Sequence, residues 1–221
     1  MPRVIFKFDK EKDLFNIWET CNKNPSYGFD FKKNMNPKTV SICENRKFED
    51  CRNELAKRFE KIHSSKLISI YLKALNDSWR TINNEFFKRL EKIMKKPIYN
   101  NLFTGYLTFS NRCPYILKEN AFYFGFFNSI CDTLRLAGHE IMHLQFHNAY
   151  WNEIEKQIGN EKTHDLKEAL TVLLNLEFKD LWMAEDKGYE SHNALREFIA
   201  SEWKKEKDFE VLLRKCMEYL K

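Results

Sequence analysis

The sequence predicts a mostly helical α+β fold, because long stretches of helical periodicity flank one short stretch of β character. Apolar residues recur at every third or fourth position over residues 44–63 and 65–96, a spacing that places them on one helix face. Residues 102–127 are instead rich in aromatic and β-branched residues and are interrupted by turn-forming residues. Helical periodicity returns at residue 129. We therefore expect a small sheet, at about residues 100–127, packed on the helix that follows it, between helical N-terminal and C-terminal parts.

The first part of the chain is predicted to be helical apart from its least periodic segments. Residues 3–8 alternate weakly and predict a short strand. Asp13 is expected to cap a short amphipathic helix over residues 14–21. Residues 22–41 are rich in Asn, Pro and Gly and predict a loop. The longest helix, over residues 65–96, would begin at a serine cap and end before a proline.

The stretch that follows is predicted to contain three short strands joined as a plain hairpin or meander. We expect these strands at residues 102–109, 115–117 and 121–127. The change of character divides the chain into a helical N-terminal region, 1–97, packed on a second region, 98–221. The two regions are expected to form one compact unit.

The strongest functional signal is the run His139-Glu140-Ile141-Met142-His143, inside a predicted helix over residues 129–147. Helix positions four apart lie on one face, about 6 Å apart along the axis. Both imidazoles can therefore bind one Zn²⁺ ion at about 2.0–2.1 Å. Glu140 lies about 100° round the helix from His139, where it can act as a base without being a ligand. Gly138 precedes the motif and is unfavourable in a helix by about 1 kcal/mol, which predicts close packing of another backbone.

The residues on both sides of this motif are mostly apolar, so we expect the helix to be buried. Two imidazoles and a carboxylate are costly to bury unless something pairs with them. One zinc ion is the simplest partner. A structural zinc ion in a non-enzymatic interaction protein would meet the same requirement, so that alternative remains open.

A third ligand has to come from outside the motif, because a catalytic zinc ion usually has three protein ligands and one position for water. His147 lies about 12 Å of helix rise beyond His139, too far for both to bind one ion on an unbroken helix. Glu168 occurs in an apolar stretch predicted to be helical over residues 166–182, where a carboxylate needs a partner. The alternative is His164, near the start of that helix. We favour Glu168.

A HExxH motif followed by a glutamate on a second helix resembles the gluzincin branch of the zincin metallopeptidases. The resemblance covers about residues 100–182. It implies that His139, His143 and Glu168 bind zinc. It also implies that Glu140 is the general base in the hydrolysis of peptide bonds.

This sequence departs from the gluzincin pattern at one position, and one other protease family is an alternative. Gluzincins commonly carry an aspartate four residues after the ligand glutamate, which supports a metal-bound histidine. This chain has Val172 there, so Asn175 or another group would have to substitute. The competitor is an SprT-like protease, whose partner is DNA and whose third ligand is a histidine, here His164. The cysteine-rich zinc ribbon of many members of that class is absent.

Peptide hydrolysis also needs a hydrogen-bond donor for the tetrahedral oxyanion besides the metal. Tyr189 and His192, which follow the ligand helix, are the candidates, and we favour His192. Nothing in the sequence specifies a side-chain pocket. The substrate is therefore predicted only as a peptide or protein, and endopeptidase and exopeptidase activity both remain open.

Composition and charge limit the partners and the location. The chain has no run of about 18 apolar residues and no apolar core near its N-terminus, so we expect neither membrane insertion nor a signal peptide. Six scattered cysteines without a CxxC pair predict reduced thiols in the cytoplasm. Residues 1–100 carry 22 Lys and Arg against 13 Asp and Glu. Their even spread favours solvated helix faces over a nucleic-acid site.

Overall fold

The computed structural model describes residues 1–25 and 29–221, and over these the fold is mostly helical with one small mixed sheet. The predicted α+β class is therefore confirmed. Residues 26–28, inside the predicted loop, lie outside the described residues. No described helix combines the length and the apolar character that spanning a bilayer requires.

The N-terminal part of the chain forms a strand and a series of helices. The loop predicted over residues 22–41 is wrong in part, because a helix begins inside it. The side chain of Asn36 caps this helix and Pro37 occupies its first turn, where the missing N–H of proline costs nothing. The elements are β1 (Arg3–Lys7), α1 (Lys10–Asn22), a 3₁₀ turn (Phe31–Asn34), α2 (Pro37–Cys43), α3 (Phe48–His63) and α4 (Lys66–Met94).

The sheet consists of β1, β2 (Leu102–Thr108), β3 (Tyr115–Ile116) and β4 (Ala121–Gly125), in the order β1-β2-β4-β3. β2 runs parallel to both β1 and β4, and β3 pairs antiparallel with β4. The predicted hairpin or meander is wrong for β2 and β4, because a parallel pair requires a crossover connection. That connection contains β3, which becomes one edge of the sheet, and β1 forms the other edge.

Asp13 is a buried hydrogen-bond acceptor and not the cap of α1. The cap is Asp9, one turn earlier. One carboxylate oxygen of Asp13 accepts hydrogen bonds from the hydroxyl of Thr108 and the backbone N–H of Phe109, and the other lies 2.7 Å from His63 Nε2. This network joins α1 and α3 to the end of β2. The division of the chain at residue 97 stays a prediction.

The core lies between the sheet and the two long helices α4 and α5 (Ile130–Ala149), with α4 packed on β1 and α5 packed on β4. The ring of Phe6 in β1 meets those of Trp79 and Phe124 edge to face. Gly138 of α5 is covered by Trp182, and a Cβ added at this glycine would lie 2.6 Å from the indole ring. The predicted close neighbour is therefore an aromatic ring and not another backbone.

The C-terminal part is helical, but the single helix predicted over residues 166–182 is wrong. The helix starts earlier and breaks at Thr171, whose hydroxyl donates to the backbone oxygen of Glu168 at 2.7 Å. Such a local hydrogen bond competes with the helical ladder. The helices are α6 (Trp151–Ile158), α7 (Asn160–Leu170), α8 (Val172–Glu177), α9 (Lys179–Trp182), α10 (Asn193–Lys205) and α11 (Phe209–Leu220), with a 3₁₀ turn (Glu190–His192) before α10.

Candidate metal centre

His139 and His143 lie one turn apart on α5, as the motif predicts, with their ring centroids 4.3 Å apart. The helix begins at Ser129, whose side chain accepts a hydrogen bond from the backbone N–H of Asp132. Its apolar side chains pack into the core, so the opposite face presents the two imidazoles at the floor of a cavity of about 790 Å³. The local helix geometry therefore sets two of the three ligand positions.

Glu168 on α7 supplies the third. Its Oε2 atom lies 3.2 Å from His143 Nε2 and 3.6 Å from His139 Nε2. Ligand atoms of all three residues fall within 4.8 Å of one another. Ligands bound at about 2.0–2.1 Å around a tetrahedral ion are separated by about 3.3–3.4 Å, so these contacts fit one ion. The structure thus brings together the three residues chosen from the sequence.

The charges around His139 favour a positive species at this position. Burial lowers the pKa of the His139 imidazole, but the carboxylates of Asp186, Glu168 and Glu140 outweigh it and raise the pKa to about 10. Burial lowers the pKa of the His143 imidazole to about 3, so this side chain is neutral. The neutral imidazole of His143 and the imidazole of His139, which is surrounded by carboxylates, together suit a divalent cation.

Asp186 orients His139, and sequence reasoning did not find it. Its Oδ2 atom lies 2.8 Å from His139 Nδ1 and accepts a hydrogen bond of the same length from Arg135. An Nδ1–H bonded to a carboxylate leaves the lone pair of Nε2 facing the ligand cluster. Asp186 belongs to a loop after α9 and stands in no recognisable motif. The only available signal was the absence of an aspartate at Val172, which predicted that another group would have to support a histidine.

Asn175, predicted from the sequence as a possible support of a metal-bound histidine, acts indirectly. It holds the backbone of Asp186. Its side-chain amide donates to the backbone oxygen of Asp186 and accepts from the backbone N–H of the same residue, at 2.8 and 2.7 Å. Burial raises the pKa of the Asp186 carboxyl, but His139, Arg135 and Arg196 outweigh it and hold that pKa well below its usual range. The carboxylate is therefore both fixed and ionised.

Lys167 is a second group that the sequence did not reveal. Its ammonium lies 2.7 Å from Glu168 Oε1 and donates to the hydroxyl of Tyr115 at 3.2 Å. Burial lowers the pKa of Lys167, but the charge of Glu168 outweighs it and raises that pKa above its usual value. One oxygen of Glu168 is thus held by Lys167, and only the other faces His139 and His143.

Glu140 is buried next to the ligands and lines the same cavity. Burial raises the pKa of its carboxyl to about 7, with the charge of Glu168 adding to the rise and that of His139 opposing it. A carboxyl with this pKa can both accept and release a proton near neutral pH. Glu140 therefore lies beside the ligand cluster, and its role as general base stays a prediction.

The remaining candidates are distributed around this centre. His164 lines the cavity, packs its ring against that of Trp151 with the centroids 4.6 Å apart and does not belong to the ligand cluster, and its role as third ligand stays the alternative prediction. His147 is also outside the cluster, with its Nε2 atom 2.7 Å from the hydroxyl of Tyr115. Tyr189 lines the cavity. His192 does not line the cavity, and its Nε2 atom lies 3.0 Å from Asp165 Oδ1. The catalytic role of His192 stays a prediction.

Comparison of the chain with protein-family models, with curated proteins and with solved structures found no match in any of the three. The site is therefore characterised by its own geometry. That geometry is a cluster of two histidines and one glutamate, compatible with one metal ion, at the floor of an open cavity.

Proposed function

We propose that this protein is a zinc-dependent metallopeptidase of the gluzincin type, with His139, His143 and Glu168 as ligands and Glu140 as general base. The observation that carries the proposal is the convergence of these ligand atoms within 4.8 Å in a cavity that Glu140 also lines. Two histidines and one carboxylate are the ligand set of catalytic zinc sites that keep one position for water. A structural zinc site would normally be closed by four protein ligands.

Bound zinc would supply a Lewis acid that polarises a carbonyl group and lowers the pKa of water towards neutrality. The carboxylate of Glu140, buried in the same cavity, would take the proton of the attacking water and deliver it to the leaving amine. Asp186 keeps the Nδ1 proton on His139 throughout. Lys167 holds the second oxygen of Glu168 away from the reacting atoms.

Tyr189 is the better-placed donor to the oxyanion, because it lines the cavity and His192 does not. The two rings lie edge to face with their centroids 5.8 Å apart. His192 would therefore position Tyr189 instead of contacting substrate. A direct catalytic role of His192, favoured from the sequence, stays the alternative prediction.

The edge strand β3 is suited to bind the backbone of a peptide. It pairs with β4 on one side only, and Tyr115 at its start lines the cavity. A free strand edge can accept an extended segment as an additional strand. We therefore propose a peptide or protein substrate in extended conformation.

The six cysteines are all free thiols, which supports a cytoplasmic location.

The test is to load the full chain with zinc and to measure hydrolysis of unfolded casein and of a peptide library. We expect stoichiometric zinc, and hydrolysis that a chelator abolishes. Glu140→Gln should retain zinc and lose hydrolysis by about 10²–10⁴-fold, the usual contribution of a general acid–base group. Glu153→Gln, at an exposed position on α6, is the matched control. A protein that binds no stoichiometric metal, or a fully active Glu140→Gln variant, would refute the proposal.

A further inference from the structure

A second cavity, of about 670 Å³, adjoins the metal cavity. Asn111 and Cys113, in the connection between β2 and β3, line both. Burial raises the pKa of the Cys113 thiol to about 12, and the negative charge of Glu140 adds to this rise. Glu140 therefore lies close enough to Cys113 for its negative charge to act on the thiol in the shared wall. A ligand in the second cavity would therefore lie against the wall that also borders the metal cavity.

The second cavity has an apolar aromatic lining. The ring of Phe109 is tilted by 35° against that of Phe126, with centroids 5.1 Å apart, and meets Phe127 edge to face at 6.4 Å. α3 contributes Phe59 and Ile62 from the opposite side. Phe127 is 86% exposed and Ile62 is 42% exposed. Large apolar side chains exposed together at the mouth of a cavity mark a binding surface.

We propose that this cavity, called here the aromatic pocket, binds a large apolar side chain of the polypeptide substrate whose peptide bond lies at the metal centre. The proposal rests on the proposed peptidase function. The shared wall selects this occupant, because Cys113 lines both cavities and precedes Tyr115, the first residue of the edge strand β3, by two positions. A substrate extended along β3 would therefore lie next to this wall. Asn36, Arg58 and Asn128 add polar groups around the apolar lining, suited to the backbone on either side of the bound side chain.

The substrate class follows from the chemistry of this pocket. Large apolar side chains are mostly buried in folded proteins, so they are accessible mainly in unfolded segments. An aromatic pocket beside the reacting atoms therefore favours unfolded or partly unfolded polypeptides that contain Phe, Leu or Met near the cleaved bond. Sequences without such a residue would be cleaved more slowly.

The experiment is a cleavage profile of a peptide library by the zinc-loaded full chain, read by mass spectrometry. We expect large apolar residues to be enriched at one fixed position relative to the cleaved bond. Phe127→Ala should lower kcat/KM for peptides carrying such a residue on the order of ten-fold, the usual effect of a lost apolar pocket contact. The same variant should leave peptides with Ser at that position unchanged. Ile62→Ser should act in the same direction.

Met183→Ala is the matched control, because Met183 is 84% exposed and lines neither cavity. The exposure of Phe127 makes loss of folding an improbable explanation, and circular dichroism of each variant checks it. The inference is overturned if the wild-type protein cleaves without an apolar preference, or if both pocket variants retain that preference in full.

A binding measurement separates this inference from the proposed function. A fluorescent Phe-containing peptide is titrated into Glu140→Gln, with and without Phe127→Ala. Weaker binding upon removal of Phe127 supports the aromatic pocket, even if wild-type protein cleaves nothing and the peptidase proposal fails. Binding that is independent of Phe127 overturns the pocket, even if hydrolysis is observed.

Discussion

Replacement of Asp186 by Asn tests whether this loop residue sets the metal affinity of the centre. Asn keeps the shape of the side chain but removes the charge that faces His139 Nδ1 and Arg135, both at 2.8 Å. Loss of such a partner typically lowers metal affinity 10–100-fold. This corresponds to about 1.4–2.8 kcal/mol of binding free energy. The reduction arises because the Nδ1 proton and the ring orientation of His139 are no longer fixed by a carboxylate.

The measurement is zinc affinity by competition with a chelating dye, on wild type and Asp186→Asn. The matched control is Asp180→Asn, which removes an exposed carboxylate paired with Arg89 outside the cavity. We expect the control to bind zinc as the wild type does. An Asp186→Asn variant whose zinc affinity lies within two-fold of wild type would refute the assignment of Asp186 as the orienting group.

The effect of Asp186→Asn on the unfolding free energy is expected to depend on pH. The pKa of Asp186 is held below its usual value in the folded protein, so its ionisation stabilises the fold above the unfolded pKa of about 3.9. This contribution decreases as the pH falls below about 4 towards the folded pKa. In urea unfolding of zinc-free protein, the difference in unfolding free energy between wild type and Asp186→Asn should be largest between about pH 4 and 6.5 and shrink in acid. It should also decrease as the pH rises above about 6.5 towards 10, because Asp186 raises the pKa of His139 and the protonated imidazole is lost over that range. A difference that grows in acid would contradict the sign of the shift.

Four further substitutions test the ligand assignment and two buried contacts elsewhere in the fold. Glu168→Gln should lower zinc affinity more than loss of Asp186 does, while His164→Ala should leave it unchanged in the same dye competition; the reverse result would make His164 the third ligand. Gly138→Ala should lower the unfolding free energy by about 1–3 kcal/mol, because the added methyl group overlaps the indole ring above it and outweighs the gain in helix propensity. Asp13→Ala should cost about 1–3 kcal/mol in the same unfolding measurement, because it removes the buried acceptor of the Thr108 hydroxyl and the Phe109 N–H and the hydrogen-bond partner of His63. A loss below 1 kcal/mol at Asp13 would show that water replaces the carboxylate.

The sequence alone determined the parts of the centre that depend on short-range geometry. His139, Glu140 and His143 lie on one helix, so their relative positions follow from the helical repeat and from no other element. Glu168 was identified because an ionised carboxylate in an apolar stretch requires a partner. Most helices and the strands near residues 102–125 were predicted for the same reason, since periodicity is a local property of the chain.

The tertiary structure decided everything that depends on segments meeting from distant parts of the chain. The parallel pairing of β1 with β2 joins residues almost one hundred positions apart, and periodicity does not encode strand partners. The support of His139 by Asp186, the contact of Lys167 with Glu168 and the aromatic pocket arise from packing between loops and helices. Hydrogen bonds and charges act over a few ångströms in space, whatever the separation of the residues in sequence. The motif therefore identifies the helix of the candidate metal centre, while the fold determines which side chains surround that centre.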